Sequence, residues 1–451
     1  MKARHAVFGA MRRSGSRSPL APIRPGDDRS RMRLSTWASG LALLGASVLT
    51  GALVVSIDDG SASDGAVSLA SAARSKIALI RRTTDPGGEA RLELYVINAD
   101  GSGSWRLETA RLVPPPVPYE VGSAPAWSPD GRRIAFLGIG DDGNADVYVV
   151  GADGLGRERL TRDPGVDGNP AWSPDGRKIA FTRRIGEVGT GKTYLYVMNA
   201  DGSRQRRLTE GHVHFSVAWS PDGRKMLFER RNFRHPRGVA PGEFPEELHV
   251  MNADGSGQRR LTRNPTRDKT SVWSPDGRRI AFSRGGFRRK IWLMKPDGSG
   301  QRSLTPAGWR SDDPDWSPDG SKIAFGGRVR TAPHDGVLVS NADGGKRRRL
   351  TQRGGGPAWS PDGRKIAFHH DGEIFVMNAD GSKRRRLTQR GGAPVWSPDG
   401  KMIAFDRHDA QGAELYVMTA DGKGERRLMR AEGGVLSSAL DWAWSPTLPK
   451  R

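Results

Sequence analysis

A Trp-Ser-Pro-Asp-Gly signature returns along this chain, and it constrains the fold more than any other feature. Its Trp falls at Trp127, Trp172, Trp219, Trp273, Trp316, Trp359, Trp396 and Trp444, with successive gaps of 45, 47, 54, 43, 43, 37 and 48 residues. A period of this size is that of a four-stranded propeller blade, and a repeat overrides the two to four domains that 451 residues would otherwise suggest. In the copy around Trp172, Asn169-Pro-Ala-Trp172 is a first strand-like run and Ser-Pro-Asp-Gly176 a turn. Lys178-Ile-Ala-Phe181 follows with period-2 alternation, then a variable loop, Tyr194–Met198, the turn Asn-Ala-Asp-Gly202 and the run Arg206–Thr209. Asp-Gly supplies residues that tolerate positive φ, and a preceding Pro presets φ for a turn. Two such turns make each unit a four-stranded antiparallel meander.

The ends of the repeat point to a closed ring. The first unit begins at Lys76-Ile-Ala-Leu79 without its own signature strand, while the last signature, Trp444-Ser-Pro446, has no unit after it. Closure is expected to place the carboxy-terminal strand innermost in the first blade, which removes two open sheet edges. Eight Asp-Gly turns, ending at Gly101, Gly154, Gly202, Gly255, Gly298, Gly344, Gly381 and Gly422, count eight blades. Seven is the alternative, should the 37-residue interval be degenerate. The expected fold is therefore all-β, a propeller over residues 75–446 with a short tail at 447–451. The composition agrees: 35% apolar residues with 59 Gly and 30 Pro suits short strands and tight turns.

These motifs resemble the WD40-like PD40 repeats of the TolB propeller family, and also the propellers attached to prolyl-oligopeptidase-type peptidases. The resemblance covers roughly residues 75–446 and implies a propeller in the cell envelope. By analogy with TolB it implies a part in envelope integrity, with a peptidoglycan-associated lipoprotein as partner. Two departures stand out: a TolB-type propeller has six blades and follows a globular domain. Here about 18 residues separate an apolar run from the first strand.

That run, Leu34–Ile57, contains no charged residue and is preceded by Arg29, Arg31 and Arg33. Its 24 residues can span a hydrocarbon layer of roughly 30 Å with the amino terminus inside and the propeller outside. A cleaved signal peptide competes with a retained anchor, and Ser61-Ala62-Ser63 is a poor cleavage site. Residues 1–33 form a basic segment, in which Met32 offers a second start, and 58–74 read as a flexible linker. The net charge is +22, of which +7 lies before residue 34. It permits attraction to anionic surfaces without choosing among them. Export argues against nucleic acid, and the ring is expected to be monomeric.

Little catalytic chemistry is legible. The absence of Cys excludes disulfides, thiolate metal sites and Cys nucleophiles. No G-x-S-x-G pentapeptide is present, as a hydrolase elbow would need. Gly186–Thr193 matches GxxxxGK[ST], but a phosphate loop needs a helix after it, and here a strand is expected. Asp142-Gly-Asn-Ala-Asp146 begins like a calcium loop and lacks its Gly and Glu. His212, His214, His369 and His370 have no close carboxylate or Cys to complete a ligand set. The repeated Trp is read as packing between blades. The runs Arg206-Arg207, Arg259-Arg260, Lys346–Arg349, Lys383–Arg386 and Arg426-Arg427 are read as charge that blunts outer strand edges, or else as a basic perimeter. No cofactor or metal is expected.

Function is then expected in what does not repeat. One candidate is the insertion Glu229–Glu247 with Arg230, Arg231, Phe233, Arg234, His235, Arg237 and Phe244, residue types enriched at interfaces. The other is the set of connections entering the inner strands at the channel mouth: His212, His214, Asp268, Lys269, Arg310, Asp312, Asp313, Asp315 and Asp441. The favoured reading is an exported scaffold, not an enzyme, that binds an envelope protein or an anionic glycopolymer. The alternative is a polysaccharide lyase or hydrolase, as some TolB-like propellers are, with Asp312, Asp313 and Asp315 beside Arg310 as the candidate group.

Overall fold

The computed structural model describes residues 75–84, 90–112, 125–186, 191–210, 217–231, 245–285, 289–305, 309–329, 335–409, 412–430 and 440–444. Their secondary structure is entirely β, in eight four-stranded antiparallel sheets. Numbered from the amino terminus, the blades cover 76–112, 126–159, 166–207, 217–260, 268–303, 309–349, 355–386 and 392–430. The first lacks an inner strand of its own. Leu440–Trp444 supplies it, pairing antiparallel with Lys76–Thr84 so that Ile77 lies opposite Trp444. The ring closes as its ends implied, with eight blades.

Blade 7, bounded by the 37-residue interval, is complete. It saves length where Lys365–His370 turns into Glu373–Asn378 through Asp371-Gly372 alone. Both turn residues have positive φ, 49° and 78°, the conformation of the tightest hairpin turn.

The frame follows from local chemistry. In blade 3 the first turn is closed by Gly176 N–H donating to the Ser173 carbonyl at 2.8 Å. The Ser173 hydroxyl donates to Asp175 Oδ1 at 2.6 Å, and that same carboxylate oxygen accepts the Arg177 N–H at 3.1 Å. Gly176 sits at φ 68°, which explains why Gly recurs there. The Ile-Ala-Phe triplet of the second strand then divides between two neighbours. Ile179 and Phe181 pack on Ala135, Val147 and Val149 of blade 2, while Ala180 faces Met226 and Phe228 of blade 4. Each seam thus sets large side chains of one blade against the small Ala of the other. Such complementarity keeps packing dense at every step of the ring. Eight hydrophobic clusters fill the eight seams.

The recurring Trp binds neighbouring blades together. Trp172 Nε1–H donates to the Ala126 carbonyl at 3.1 Å, Trp219 to Ala171 at 3.1 Å, Trp273 to Ala218 at 3.2 Å and Trp396 to Ala358 at 3.1 Å. The outer strands are only two residues long in six of the eight blades, so little edge is left to protect. Their arginines do more than blunt it, which corrects the simpler expectation. Arg206, Arg348 and Arg385 each cross to a turn carbonyl of the next blade, those of Asp254, Asp380 and Asp421, at 2.5, 3.0 and 2.8 Å. In the reverse direction Gln205, Gln301 and Arg347 donate to the Leu160, Leu261 and Leu304 carbonyls of the preceding blade at 3.0, 2.9 and 2.7 Å. The last arginine of a run folds back on its own blade, as Arg386 does on Glu373 at 2.8 Å and Arg427 on Glu414 at 2.7 Å.

Among the described residues no helix is long and apolar enough to cross a membrane. The run 34–57, with the segments 1–33 and 58–74 and the tail 447–451, lies outside them.

Candidate functional site

Antiparallel order from inner to outer strand sorts every connection onto one of two faces. The first–second and third–fourth turns share one face, and these are the Ser-Pro-Asp-Gly and Asp-Gly turns that hardly vary. The second–third loops and the links between blades share the other. The two regions singled out in the sequence, the blade 4 insertion and the inner-strand connections, therefore lie on the same variable face. Second–third connections range there from two residues in blade 7 to 14 in blade 4.

At the root of that longest connection lies a dense network of buried charge. Arg231 and Glu246 are register partners, and Arg231 Nη2 stands 3.2 Å from Glu246 Oε1, so an ion pair joins the two stems. Lys269 Nζ, from blade 5, reaches Glu246 Oε2 at 2.8 Å. Glu247 pairs with Arg260 of the outer strand. Asp268 holds Arg284 through Nε and Nη2 at 2.8 and 3.0 Å and accepts from Asn264 Nδ2 at 2.7 Å. Glu229, 3% exposed, accepts the Thr270 N–H of blade 5 at 2.9 Å. Burial pushes the Glu229 carboxyl up to about 7 against the opposing pull of Lys269 and the Thr270 amide. Burial likewise raises Glu247 against Arg260, and lowers Lys269 despite Glu229.

The inner strands share a second peculiarity near this face. In blades 3, 5, 6, 7 and 8 their register breaks just before the Trp, at Gly168/Ala171, Lys269/Val272, Asp312/Asp315, Gly355/Ala358 and Gly392/Val395. Asn169, Thr270, Gly356 and Ala393 take positive φ there, between 37° and 53°. Thr and Ala adopt this region only with support, and it marks a β-bulge that bends the channel wall. In blade 5 Glu229 supports it from the neighbouring blade; in blade 3 the Thr182 hydroxyl does so by donating to the Gly168 carbonyl at 3.1 Å.

The residues expected to form a site are placed as follows. Arg230 lies opposite Glu247 in the register and Arg231 joins the network. Arg310, Asp312 and Asp313 lie on the inner strand Trp309–Trp316 of blade 6, at and beside its register break, one blade removed from the network. The two groups share a face without meeting in one blade. Phe233, Arg234, His235, Arg237, Phe244, His212 and His214 lie outside the described residues. Asp441 falls on the closing strand of blade 1, opposite Ile80. Asp315 is a clamp between blades: its carboxylate accepts the Trp359 N–H at 2.7 Å, and burial raises it to about 7.

Other motifs resolve into structure. Arg159 Nη2 sits 2.6 Å from both Asp142 Oδ2 and Asp146 Oδ2, so a guanidinium occupies the place a calcium ion would take. Lys192 and Thr193 open the strand Lys192–Asn199, which leaves the phosphate-loop match without its helix. His370 Nε2 lies 3.1 Å from Asp371. Among the described residues no three His, Cys, Asp or Glu side chains could hold a metal ion.

Glu229 was missed as a bridge between blades. Its position one residue after the Phe of the second strand holds Thr182, Ser283, Gly326, His369 and Asp406 in other blades. Ser271 likewise stands where blades 3, 6, 7 and 8 have Pro170, Pro314, Pro357 and Pro394. An alignment of the chain against itself carries both signals.

A model of the TolB β-propeller domain, built on PD40 repeats, matches residues 117–237 and 286–448. The Tol-Pal system protein TolB of Thioalkalivibrio sulfidiphilus is 36% identical over 84 residues, 19% of this chain and only 17% of that protein's length. An oligogalacturonate lyase solved in complex with manganese superposes with a TM-score of 0.50 at 17% identity, covering 76% of this chain and 97% of the lyase. A eukaryotic initiation factor gives 0.52 at 11% identity, covering 84% of this chain and 100% of the other. At such identities the likeness is one of fold.

Proposed function

Because the chain belongs to the TolB β-propeller family, here with eight blades, we propose that it is an envelope-associated scaffold binding a protein or an anionic glycopolymer through its variable face. One observation carries this reading: the connections that vary most in length gather on that face, the longest of them rooted in a buried ion-pair network. A rigid base under a variable loop is how propellers and sandwiches present binding surfaces. The network itself is closed, each of its four carboxylates meeting a cation or an amide, which suits a platform better than acid–base chemistry. Placement outside the cytoplasm rests on the uncharged run 34–57, which also offers the membrane contact.

The test is a pull-down from envelope extract with the full-length protein, beside a variant whose residues 232–244 become a short Gly/Ser loop. A ligand retained by the first and lost by the second supports the reading; one retained equally by both removes the insertion from it. A second reading, a carbohydrate-active enzyme at the channel mouth, draws support from Asp312 and Asp313 at the bulge of blade 6. A glycan-cleavage screen decides it: activity lost in Asp313→Asn would establish that reading, and a clean negative would leave the scaffold.

A further inference from the structure

The outer wall of blades 6 and 7 carries charge that the frame does not use. Lys346–Gly355 and Lys383–Gly392 are the same ten residues, Lys-Arg-Arg-Arg-Leu-Thr-Gln-Arg-Gly-Gly, repeated 37 positions apart. Each copy starts at the third–fourth turn, runs along the outer strand and ends in the connection to the next inner strand. Two identical cationic ladders therefore stand side by side on adjacent blades. Lys346, Arg347, Arg348, Lys383, Arg384 and Arg385 are all exposed, and none of the six makes an ion pair among the described residues.

Their hydrogen bonds leave the charge in place. Arg347, Arg348 and Arg385 donate to the backbone carbonyls of Leu304, Asp380 and Asp421, which are neutral acceptors. Arg384 lies over the Phe375 ring at 5.9 Å. Elsewhere the same positions do the same structural work without charge. Blades 4 and 5 have Gly257-Gln258 and Gly300-Gln301 where these two have Lys346-Arg347 and Lys383-Arg384. Gln258 and Gln301 make the carbonyl latch to the Leu208 and Leu261 carbonyls, and Gly257 and Gly300 take the positive φ that Lys346 and Lys383 adopt at 47° and 52°. Four cations thus stand where neutral residues suffice, two of them in a backbone region that disfavours a side chain.

We propose that this wall is a binding surface for a linear anionic polysaccharide, a polymer whose regularly spaced carboxylates meet the repeated arginines. Guanidinium groups suit it because their fork geometry matches carboxylates in pairs. A repeated ligand also favours a repeated site, since neighbouring contacts on one chain raise the effective concentration of each other. Nucleic acid is disfavoured: the wall has no exposed aromatic ring to stack a base, the only large exposed hydrophobics among the described residues being Leu155 and Ile185 in blades 2 and 3. The six cations lie at the third–fourth turns and on the outer strands, away from the blade 4 insertion, so the site stands whether or not the insertion binds a partner.

The test uses the full-length protein, with polygalacturonate as probe and dextran and single-stranded poly(dT) as comparators. One variant carries Lys346→Gly, Arg347→Gln, Lys383→Gly and Arg384→Gln, which install the residues of blades 4 and 5 and leave at position 347 a side chain able to make the same carbonyl latch. A control removes four cations from the first–second turns of other blades, Arg132→Gln, Arg177→Gln, Arg224→Gln and Arg278→Gln, and so has the same net charge. The wild type is expected to bind polygalacturonate and not dextran at low salt. The wall variant is expected to lose affinity about tenfold or more and to show a shallower salt dependence, with the control within about threefold of wild type. Equal loss in both variants would make net charge the cause and overturn the site. Binding unchanged in the wall variant, or poly(dT) preferred at equal charge concentration, would overturn it as well.

Discussion

Replacing Glu229 with Gln separates two things that one carboxylate does. It accepts the Thr270 N–H at 2.9 Å from the next blade, and it does so while buried, with its proton held up to about 7. Gln keeps an amide oxygen as acceptor and has no charge to bury. In the unfolded chain Glu229 titrates at 4.5, so between 4.5 and about 7 the native state holds more of the proton. Stability therefore falls as pH rises through that window, and stays at the lower level above it. A raised carboxyl of this size corresponds to about 3 kcal/mol across the window. Glu229→Gln is thus expected to match wild type near pH 4.5 and to exceed it by about 3 kcal/mol at pH 8. Glu229→Ala loses the acceptor as well and is expected to be less stable by about 1–3 kcal/mol already at pH 4.5. Urea unfolding followed by tryptophan fluorescence at pH 4.5, 6 and 8 measures all three. A gap between Gln and wild type that does not widen with pH would refute the assignment of a buried, proton-holding bridge between blades 4 and 5.

Other substitutions test the frame. Asp315→Asn keeps the acceptor for Trp359 N–H and removes a carboxyl raised to about 7, so its advantage over wild type should also grow between pH 4 and pH 8 in the same unfolding assay. Trp172→Phe removes the Nε1–H bond to the Ala126 carbonyl and should lower unfolding free energy by about 1–2 kcal/mol. Arg204 sits at φ 54° where blades 2, 4, 5 and 8 have Gly156, Gly257, Gly300 and Gly424, and Arg204→Gly should stabilise by about 0.5–1 kcal/mol, read from the urea midpoint.

Much of this architecture was legible because the repeat states each rule several times. Trp, Ile-Ala-Phe and Asp-Gly each answer one local demand: a seam contact, an alternating face, a positive φ. The missing strand before Lys76 and the spare one at Trp444 even announced how the ring closes. Relations across a seam were harder to read. Asp142-Gly-Asn-Ala-Asp146 begins like a calcium loop without completing one, and only the fold shows why its two carboxylates stand together, around Arg159. The arginine pairs looked like edge protection because their acceptors, carbonyls on a neighbouring blade, leave no trace in composition. Asp315 was grouped with Asp312 and Asp313 by proximity in sequence, yet a bulge after Asp312 changes the register between them and Asp315 reaches toward Trp359 instead. The candidate site was legible only as far as the rule that non-repeating loops collect on a face.

Whether that face is the one that binds can be read by hydroxyl-radical footprinting of the full-length protein, alone and saturated with the ligand captured from envelope extract. Protection is expected at Arg230, Arg231 and the 232–244 segment and at the connections entering the inner strands, with the Asp-Gly turns of the opposite face unchanged. Protection confined to those turns, with the variable face still reactive, would show that the scaffold binds through its repeated side and that the variable face is not its binding surface.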